Sequence, residues 1–405
     1  MAFKVGIVSS YNVLCGNATY SQVIVDGLLK DVEAVKIEVP IKVQKFRDPE
    51  VEKQILQKVS DCDAVNIQME LGLYGATPRA AAKLIKKIIN RSKRVSLTMH
   101  RVEEQPLSFT RNLYNHIKTG GLHSALQEII KYEISRRYKK IISCAYENDA
   151  TFIVHTDREK KKILAYKPDA SVIVHPIVWP DDYCVNKVDI TELNAAYQGL
   201  FGADDRPIIG LFGFTSNYKN FLQVVRVVIN EGKYRILIAG GTHPQSNEYG
   251  KHIKVKLNQR GSFFSEIQEI SSIYMALNRK TKSAFISVHS PDDPNLVHLI
   301  KSVDVVAIPY TEVGQSASGI ASLAIQFGKR VIFSDTHTSF LLSKFLNRKP
   351  VLFDTQSDLS LAKGLDRVFE EKESSISFDG YDFQSNIQTY LKSLKIRKAK
   401  CERMF

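Results

Sequence analysis

Residues 309–335, PYTEVGQSASGIASLAIQFGKRVIFSD, decide the class of fold. A strand ends at Pro309, and the small residues Gly314, Ser316, Ala317, Ser318 and Gly319 follow it. An apolar helix then runs to Gly328, and a second strand starts at Lys329. Small side chains let a ligand come close to the backbone at a helix start. There the first N–H groups lack internal partners and the helix dipole favours an anion. Ser316 and Ser318 add hydroxyl donors. With a ligand, the segment is a phosphate cradle at the carboxyl edge of a parallel sheet. Without one, it is a Ser/Gly-rich helix cap.

The same alternation extends in both directions. KVGIVSS, AVKIEV, AVNIQ, RVSLTMH, TFIVHT and SVIVHP read as buried strands, with helices at TYSQVIVDGLLK, VEKQILQKV and AAAKLIKKII between the first four. PIIGLFG, RILIAGG, AFISVHS, DVVAIPY, RVIFSD and PVLFD repeat the pattern, with a longer helical excursion expected from Gln259 to Lys282. Strands alternating with helices predict parallel sheets, here two doubly wound ones. A polar, turn-rich stretch at 180–207 reads as the hinge. Domains are therefore expected at 1–190 and 200–383, the α/β class throughout. Ligands of such sheets bind outside the carboxyl strand ends, so two domains facing across a cleft would enclose one.

A chain of 405 residues exceeds one comfortable core. Its 44% apolar and 24% charged content is that of a soluble globular protein. MAFKVGIVSSYN enters a strand directly, so no signal peptide is expected. No run approaches the roughly 20 apolar residues a bilayer-spanning helix needs. Cys15, Cys62, Cys144, Cys184 and Cys401 show no paired spacing, which suggests reduced thiols, not a disulfide frame or zinc site. A cytoplasmic location follows as the expectation.

The net charge of +13 is concentrated. Arg79 to Lys140 holds 15 Lys/Arg against Glu103, Glu104, Glu128 and Glu133, a local +11. The helices at 79–94 and 125–140 carry cations between apolar positions. Such helices can lie on an anionic membrane face, or simply cover a sheet with a solvated basic side. A nucleic-acid partner is compatible with the charge, but the segment lacks the aromatic interleaving of single-strand platforms.

The loops after strands supply the remaining candidates. Gly16 permits a tight turn, and Asn17 with Thr19 can cap the helix that follows. Glu70 lies at a strand end beside Gly72 and Gly75, able to bond a sugar hydroxyl or pair with a cation. His100 closes a strand, where a histidine can bind a hydroxyl or phosphate, act as acid or base, or be structural. Gly213 follows a strand, and Lys219 stands before a helix, either a diphosphate ligand or a surface lysine. Gly240 and Gly241 end a further strand.

Together these loops resemble the retaining GT-B glycosyltransferases of family four. The resemblance rests on CGNATYS, NIQMELGLYG, TMHRVEEQP, FIVHTDREKKKIL, FGFTSNYKN, IAGGTHP and QSASG, in that order over residues 3–355. It implies transfer of a hexose from a nucleotide diphosphate sugar to an acceptor hydroxyl, with no metal or other cofactor. The basic segment makes a glycan or glycolipid acceptor, met peripherally at the inner membrane face, the expectation. The resemblance implies Lys219, His100 and Glu70 in catalysis. Donor binding would fall to Gly16, Asn17, Gly213, Gly241, Tyr310, Gln315, Ser316, Ser318 and Gly319. It also implies a carboxyl-terminal helix, 384–405, packed back on the first domain.

Three departures stand out. Gln315 and Leu323 occupy the positions of the Glu–seven residues–Glu pair found in many members, so ribose must be held differently. Phe214 and Ser216 replace the usual arginine of the lysine turn. VHPIVW replaces a Pro-His-Gly turn, and His175 is given no role. The rival readings are a nucleic-acid sugar transferase or binder, a catalytically weak partner subunit, and an epimerase. The last needs cleft carboxylates that only Glu70 offers.

Overall fold

The computed structural model describes residues 3–13, 15–104, 109–118, 121–184, 205–214, 216–240, 284–287, 293–371 and 376–396. Gly241, the 259–282 excursion and most of the expected hinge lie outside them.

The chain divides into two compact units, Met1–Ile177 with Phe383–Phe405, and Val178–Asp382. The division falls ahead of the polar stretch because Trp179 is already held in the second unit. Its N–H donates to Gln326 Oε1 at 2.8 Å, and its carbonyl accepts from Gln326 Nε2 at 2.9 Å.

The first unit runs β1 (Lys4–Ser9), α1 (Gly16–Leu28), β2 (Glu33–Glu38), α2 (Ile41–Lys45), α3 (Pro49–Ser60), β3 (Ala64–Met69) and α4 (Pro78–Arg91). It continues through β4 (Val95–Met99), α5 (Phe109–Lys118), α6 (Leu122–Glu147), β5 (Thr151–Val154), α7 (Asp157–Tyr166) and β6 (Val172–Val174). The strand order is β2-β1-β3-β4-β5-β6, every pair parallel. All six residues of β3 and all five of β4 are buried, as strands covered on both faces require. Local chemistry sets the helix starts. Asp48 caps α3 and Thr77 caps α4, each followed by a proline at the first helical position.

The second unit runs β7 (Ile208–Phe212), α8 (Phe221–Glu231), β8 (Arg235–Ala239), β9 (Ala284–Ser287), α9 (Asp293–Ser302) and β10 (Val305–Ile308). Then come α10 (Gly319–Phe327), β11 (Val331–Ser334), α11 (His337–Ser343), β12 (Val351–Phe353) and α12 (Asp358–Glu370). Its order, β12-β11-β10-β7-β8-β9, is again wholly parallel. All twelve strands expected from the sequence form.

After the second sheet the chain returns to the first unit as α13 (Phe383–Ser393). Gly27 on α1 makes room for it, since a Cβ there would overlap Ile387 and Phe383. Asn386 Nδ2 donates to Tyr20 Oη at 2.8 Å.

In an open parallel sheet the ligand site lies where the strand order reverses. That point falls between β1 and β3 in the first unit, and between β7 and β10 in the second. The loops leaving those strands carry most of the candidates.

Candidate active site

In the second unit the loops after β7 and β10 are tied together. Tyr218 O accepts from Thr311 N at 2.7 Å and from Thr311 Oγ1 at 3.2 Å. The Tyr218 and Tyr310 rings meet edge to face at 5.6 Å. Gly213, at φ +86°, adopts a left-handed conformation that a side chain would strain. A Cβ there would also stand 2.6 Å from Lys219 Nζ and 3.1 Å from Ile320 Cγ1. Gly240 is needed as well, because a Cβ would overlap the Gly213 carbonyl. Gly213 thus clears the space that Lys219 occupies, and Gly240 clears the space for the Gly213 backbone.

Lys219 is only 6% exposed. Its Nζ lies 3.4 Å from Phe212 O, and over the rings of Tyr310 at 5.6 Å and Phe221 at 5.8 Å. No carboxylate pairs with it among the described residues. Burial pulls its ammonium down to about 7. A buried cation held by one carbonyl and two aromatic faces is costly unless an anion joins it.

The helix start faces the same switch point. Ser318 is the N-cap of α10, its Oγ accepting from Ala321 N at 3.2 Å. The Tyr310 phenol is buried with no hydrogen-bond partner among the described residues, and burial holds it well above its ordinary pKa. Gly319 begins the helix, and a Cβ on it would meet nothing closer than Trp179 Cζ2 at 3.7 Å. Space therefore remains in front of the first N–H groups. Ser316 is buried. The loop carrying it is fixed by Glu312, which accepts from Gly314 N at 2.8 Å and Thr338 N at 2.9 Å. The Gln315 carbonyl accepts from Thr338 Oγ1 at 3.1 Å. Gly213, Lys219, Tyr310, Ser318 and Gly319 thus gather at one switch point, with Gln315 and Ser316 on the same loop.

The first unit treats its candidates differently. Gly16 opens α1, but Cys15 is the N-cap and no side chain caps the helix. Asn17 is therefore not the cap expected from sequence. Its position inside the first turn puts its carbonyl in the helix ladder, where Ser21 Oγ donates to it at 2.6 Å. Its Oδ1 is buried with no hydrogen-bond partner. A Cβ on Gly16 would meet nothing within 4 Å, so this helix start too is open.

Glu70 follows β3 and heads the short 3-10 turn Leu71–Leu73. Burial raises its carboxyl, opposed by Arg101 and reinforced by Glu103. It lines a cavity of about 570 Å³ with Arg101, Glu103, Glu128, Lys131 and Tyr138.

His100 follows β4, with Nε2 2.9 Å from the Gln68 side-chain amide and Nδ1 3.3 Å from His155 Nε2. His155 Nδ1 lies 3.0 Å from His175 O, so that nitrogen carries a proton and donates. Burial pulls His155 down to about 4 and holds His100 well below its ordinary value. Gln68 presents its Oε1 to His100 Nε2, which donates to it, because the Gln68 Nε2 donates to Asn66 Oδ1. Gln68 meets Asn66 at 2.8 Å and Tyr390 Oη at 3.1 Å. Thr98 joins Asn66 at 3.2 Å.

His155 and Tyr390 were not singled out from the sequence. His155 sits inside the quoted FIVHTD segment, which was the available signal. Tyr390 reaches its partners from about 300 residues away in sequence, and no local pattern announces that.

No known sequence family matches the chain, and no curated protein is similar to it in sequence. Solved structures are similar in fold. HepE (Alr3699) of Anabaena, crystallised with UDP-glucose, superposes with a TM-score of 0.59 at 11% identity, covering 97% of this chain and 96% of that one. A glycosyltransferase from Rickettsia africae gives 0.57 at 15%, over 97% and 93%. A UDP-forming α,α-trehalose-phosphate synthase from Burkholderia vietnamiensis gives 0.59 at 10%, over 98% and 94%. The likeness establishes the fold, two doubly wound parallel-sheet domains of the GT-B type.

Proposed function

We propose that this chain is a retaining glycosyltransferase that moves a hexose from a nucleotide diphosphate sugar to an acceptor hydroxyl, in surface polysaccharide or glycolipid assembly. The observation that carries the reading is Lys219, a buried cation without a carboxylate partner among the described residues, beside an open helix start. That pair of features suits a diphosphate, whose charge it would neutralise.

In the proposed step the bond from the sugar C1 to the phosphate oxygen breaks, and its electron pair stays on the diphosphate. Lys219, the first amides of α10 and the hydroxyls of Ser316 and Ser318 stabilise that charge. The acceptor oxygen bonds to C1 on the same face, and its proton passes to the leaving phosphate oxygen. Lys219 supplies the counter-charge, and the step needs no metal ion. Tyr310 and Gly213 shape the space, and Gln315 stands near the ribose. Gly16, Asn17 and Gly241 keep their assignment to the donor. Glu70 positions the acceptor. Both ring nitrogens of His100 are already engaged, so it acts by holding Gln68 and the strand end in place.

Thermal unfolding with UDP, GDP, ADP and CMP sugars tests this. A donor at a hundred times its Kd should add about 2.7 kcal/mol. Lys219→Ala should lose most of that gain. Equal stabilisation of the variant would remove Lys219 from the site, and no stabilisation of the wild type by any donor would remove the site itself.

A further inference from the structure

The basic segment contains two surfaces of opposite character. On α4 the apolar positions Ala81, Ala82, Leu84, Ile85, Ile88 and Ile89 are buried against the sheet, so that helix offers only its cations. The α5–α6 hairpin differs. Phe109 stacks on Tyr132 at 4.1 Å, and Asn112 Nδ2 donates to Glu128 Oε1 at 3.2 Å. These pairs fix an antiparallel register that sets Tyr114 level with Leu126, near the closed end. There Tyr114, Ile117, Leu126, Ile129 and Ile130 are between 41% and 64% exposed.

Steps of three and four residues continue that stripe along α6 through Leu126, Ile130, Glu133, Arg137 and Lys140. The stripe therefore changes from apolar to cationic over about 20 Å of helix. Beside its cationic half, a groove of about 430 Å³ between α4 and α6 is lined by Lys86, Arg136, Lys139 and Lys140, with Glu147 the one acid. Glu133 pairs with Arg136 and Arg137. Lys86, Lys139 and Lys140 have no carboxylate partner among the described residues. No described helix is long and apolar enough to cross a membrane.

We propose that this face docks on a bilayer carrying anionic lipids. The apolar end of the hairpin enters the headgroup–acyl boundary, and the α4–α6 groove holds lipid phosphates. An apolar tip continuous with a cationic shaft matches an interfacial helix, where area burial and charge attraction add. A nucleic acid would use the cations and leave the apolar tip in water. A second copy of the chain would meet a like-charged groove. The Glu70 cavity, lined by Glu128 and Lys131 of the same helix, then lies at headgroup level. The proposal stands apart from the sugar-transfer reading, because docking requires no donor.

Co-sedimentation of the full chain with phosphatidylcholine vesicles, with and without phosphatidylglycerol, tests it. Binding should require the anionic lipid and fall with salt. Leu126→Asp with Ile130→Asp should weaken partition at least about tenfold, with an unchanged circular dichroism spectrum. Lys139→Glu with Lys140→Glu should also weaken it and flatten the salt dependence. Ile130→Trp provides an independent readout, since its emission should shift to the blue on anionic vesicles. No vesicle binding would overturn the proposal, as would binding indifferent to the aspartates or an unshifted tryptophan. So would a wild-type dimer that the aspartates dissociate without any vesicle binding. A gel shift on RNA or DNA that survives the aspartates, with no vesicle binding, would assign the face to nucleic acid instead.

Discussion

The two switch points share a topology and differ in what surrounds them. Between β7 and β10, small residues and an open helix start surround a buried cation with no carboxylate partner among the described residues. In the loops after β3 and β4, the polar groups bond chiefly to one another. Gln68, Asn66, Thr98, Tyr390, His100 and His155 form one buried network. The first arrangement is incomplete without an anion. The second is complete in its loops after β3 and β4, apart from Glu70 facing its cavity, while, among the described residues, the loop after β1 keeps the open start at Gly16 and the unpartnered Asn17 Oδ1. One fold therefore supplies a site built for binding charge and a site built for holding geometry, and the difference lies in which polar groups have partners.

Removing the cation should break this contrast most strongly. Lys219→Ala should lower kcat by about one to three powers of ten, the scale of losing one charge-stabilising donor. Steady-state kinetics with the donor identified by thermal shift would show it. Lys219→Met should stabilise the ligand-free protein. The lysine titrates near 7 folded and near 10.5 unfolded, so between those values the unfolded chain holds a proton that the folded one releases. Wild-type stability should rise with pH through that window and be lowest below it. The methionine variant should lack the slope, gaining about 2–4 kcal/mol at neutral pH.

The histidine pair sharpens the other side. His155 titrates near 4 folded against an ordinary 6.5, so the folded state binds fewer protons between them. Stability should therefore fall as pH falls from 6.5 toward 4. His155→Gln removes this titration while keeping an amide donor for the His175 carbonyl. Denaturant midpoints measured from pH 7 to 4.5 should show a shallower loss, by about 1–3 kcal/mol across the window. An unchanged slope would place the titration elsewhere.

What the sequence disclosed follows the range of the forces involved. All twelve strands and the start of α10 could be read because alternation, glycines and capping residues act over a few positions. The Lys219 loop could be read for the same reason. Asn17 was misplaced as a cap because Cys15, two residues earlier, takes the extended conformation. The histidine pair joins β4 to the end of β5, and Tyr390 arrives on the last helix. Such pairings depend on tertiary placement that no local window contains. The exposed apolar end of α5–α6 was likewise hidden. Its residues have the spacing of a covered helix, and only the packing shows which positions remain uncovered.

The smallest expected effect separates the phosphate-cradle and helix-cap readings of the segment 309–335. Ser318 caps α10 through its Oγ, whatever binds there. Ser318→Ala should cost about 1 kcal/mol of stability. Ser318→Asn retains a side-chain acceptor for the Ala321 amide, so its unfolding midpoint should stay within a few tenths of a kcal/mol of wild type. An asparagine is longer than serine and removes the hydroxyl from the space before Gly319. If that space is only a helix cap, donor affinity should be indifferent to the exchange. If it is a diphosphate cradle, calorimetric titration of the donor should show a Kd raised several-fold in a fully stable protein. Unaltered affinity would leave Lys219 as the sole anchor and return the helix start to a structural role.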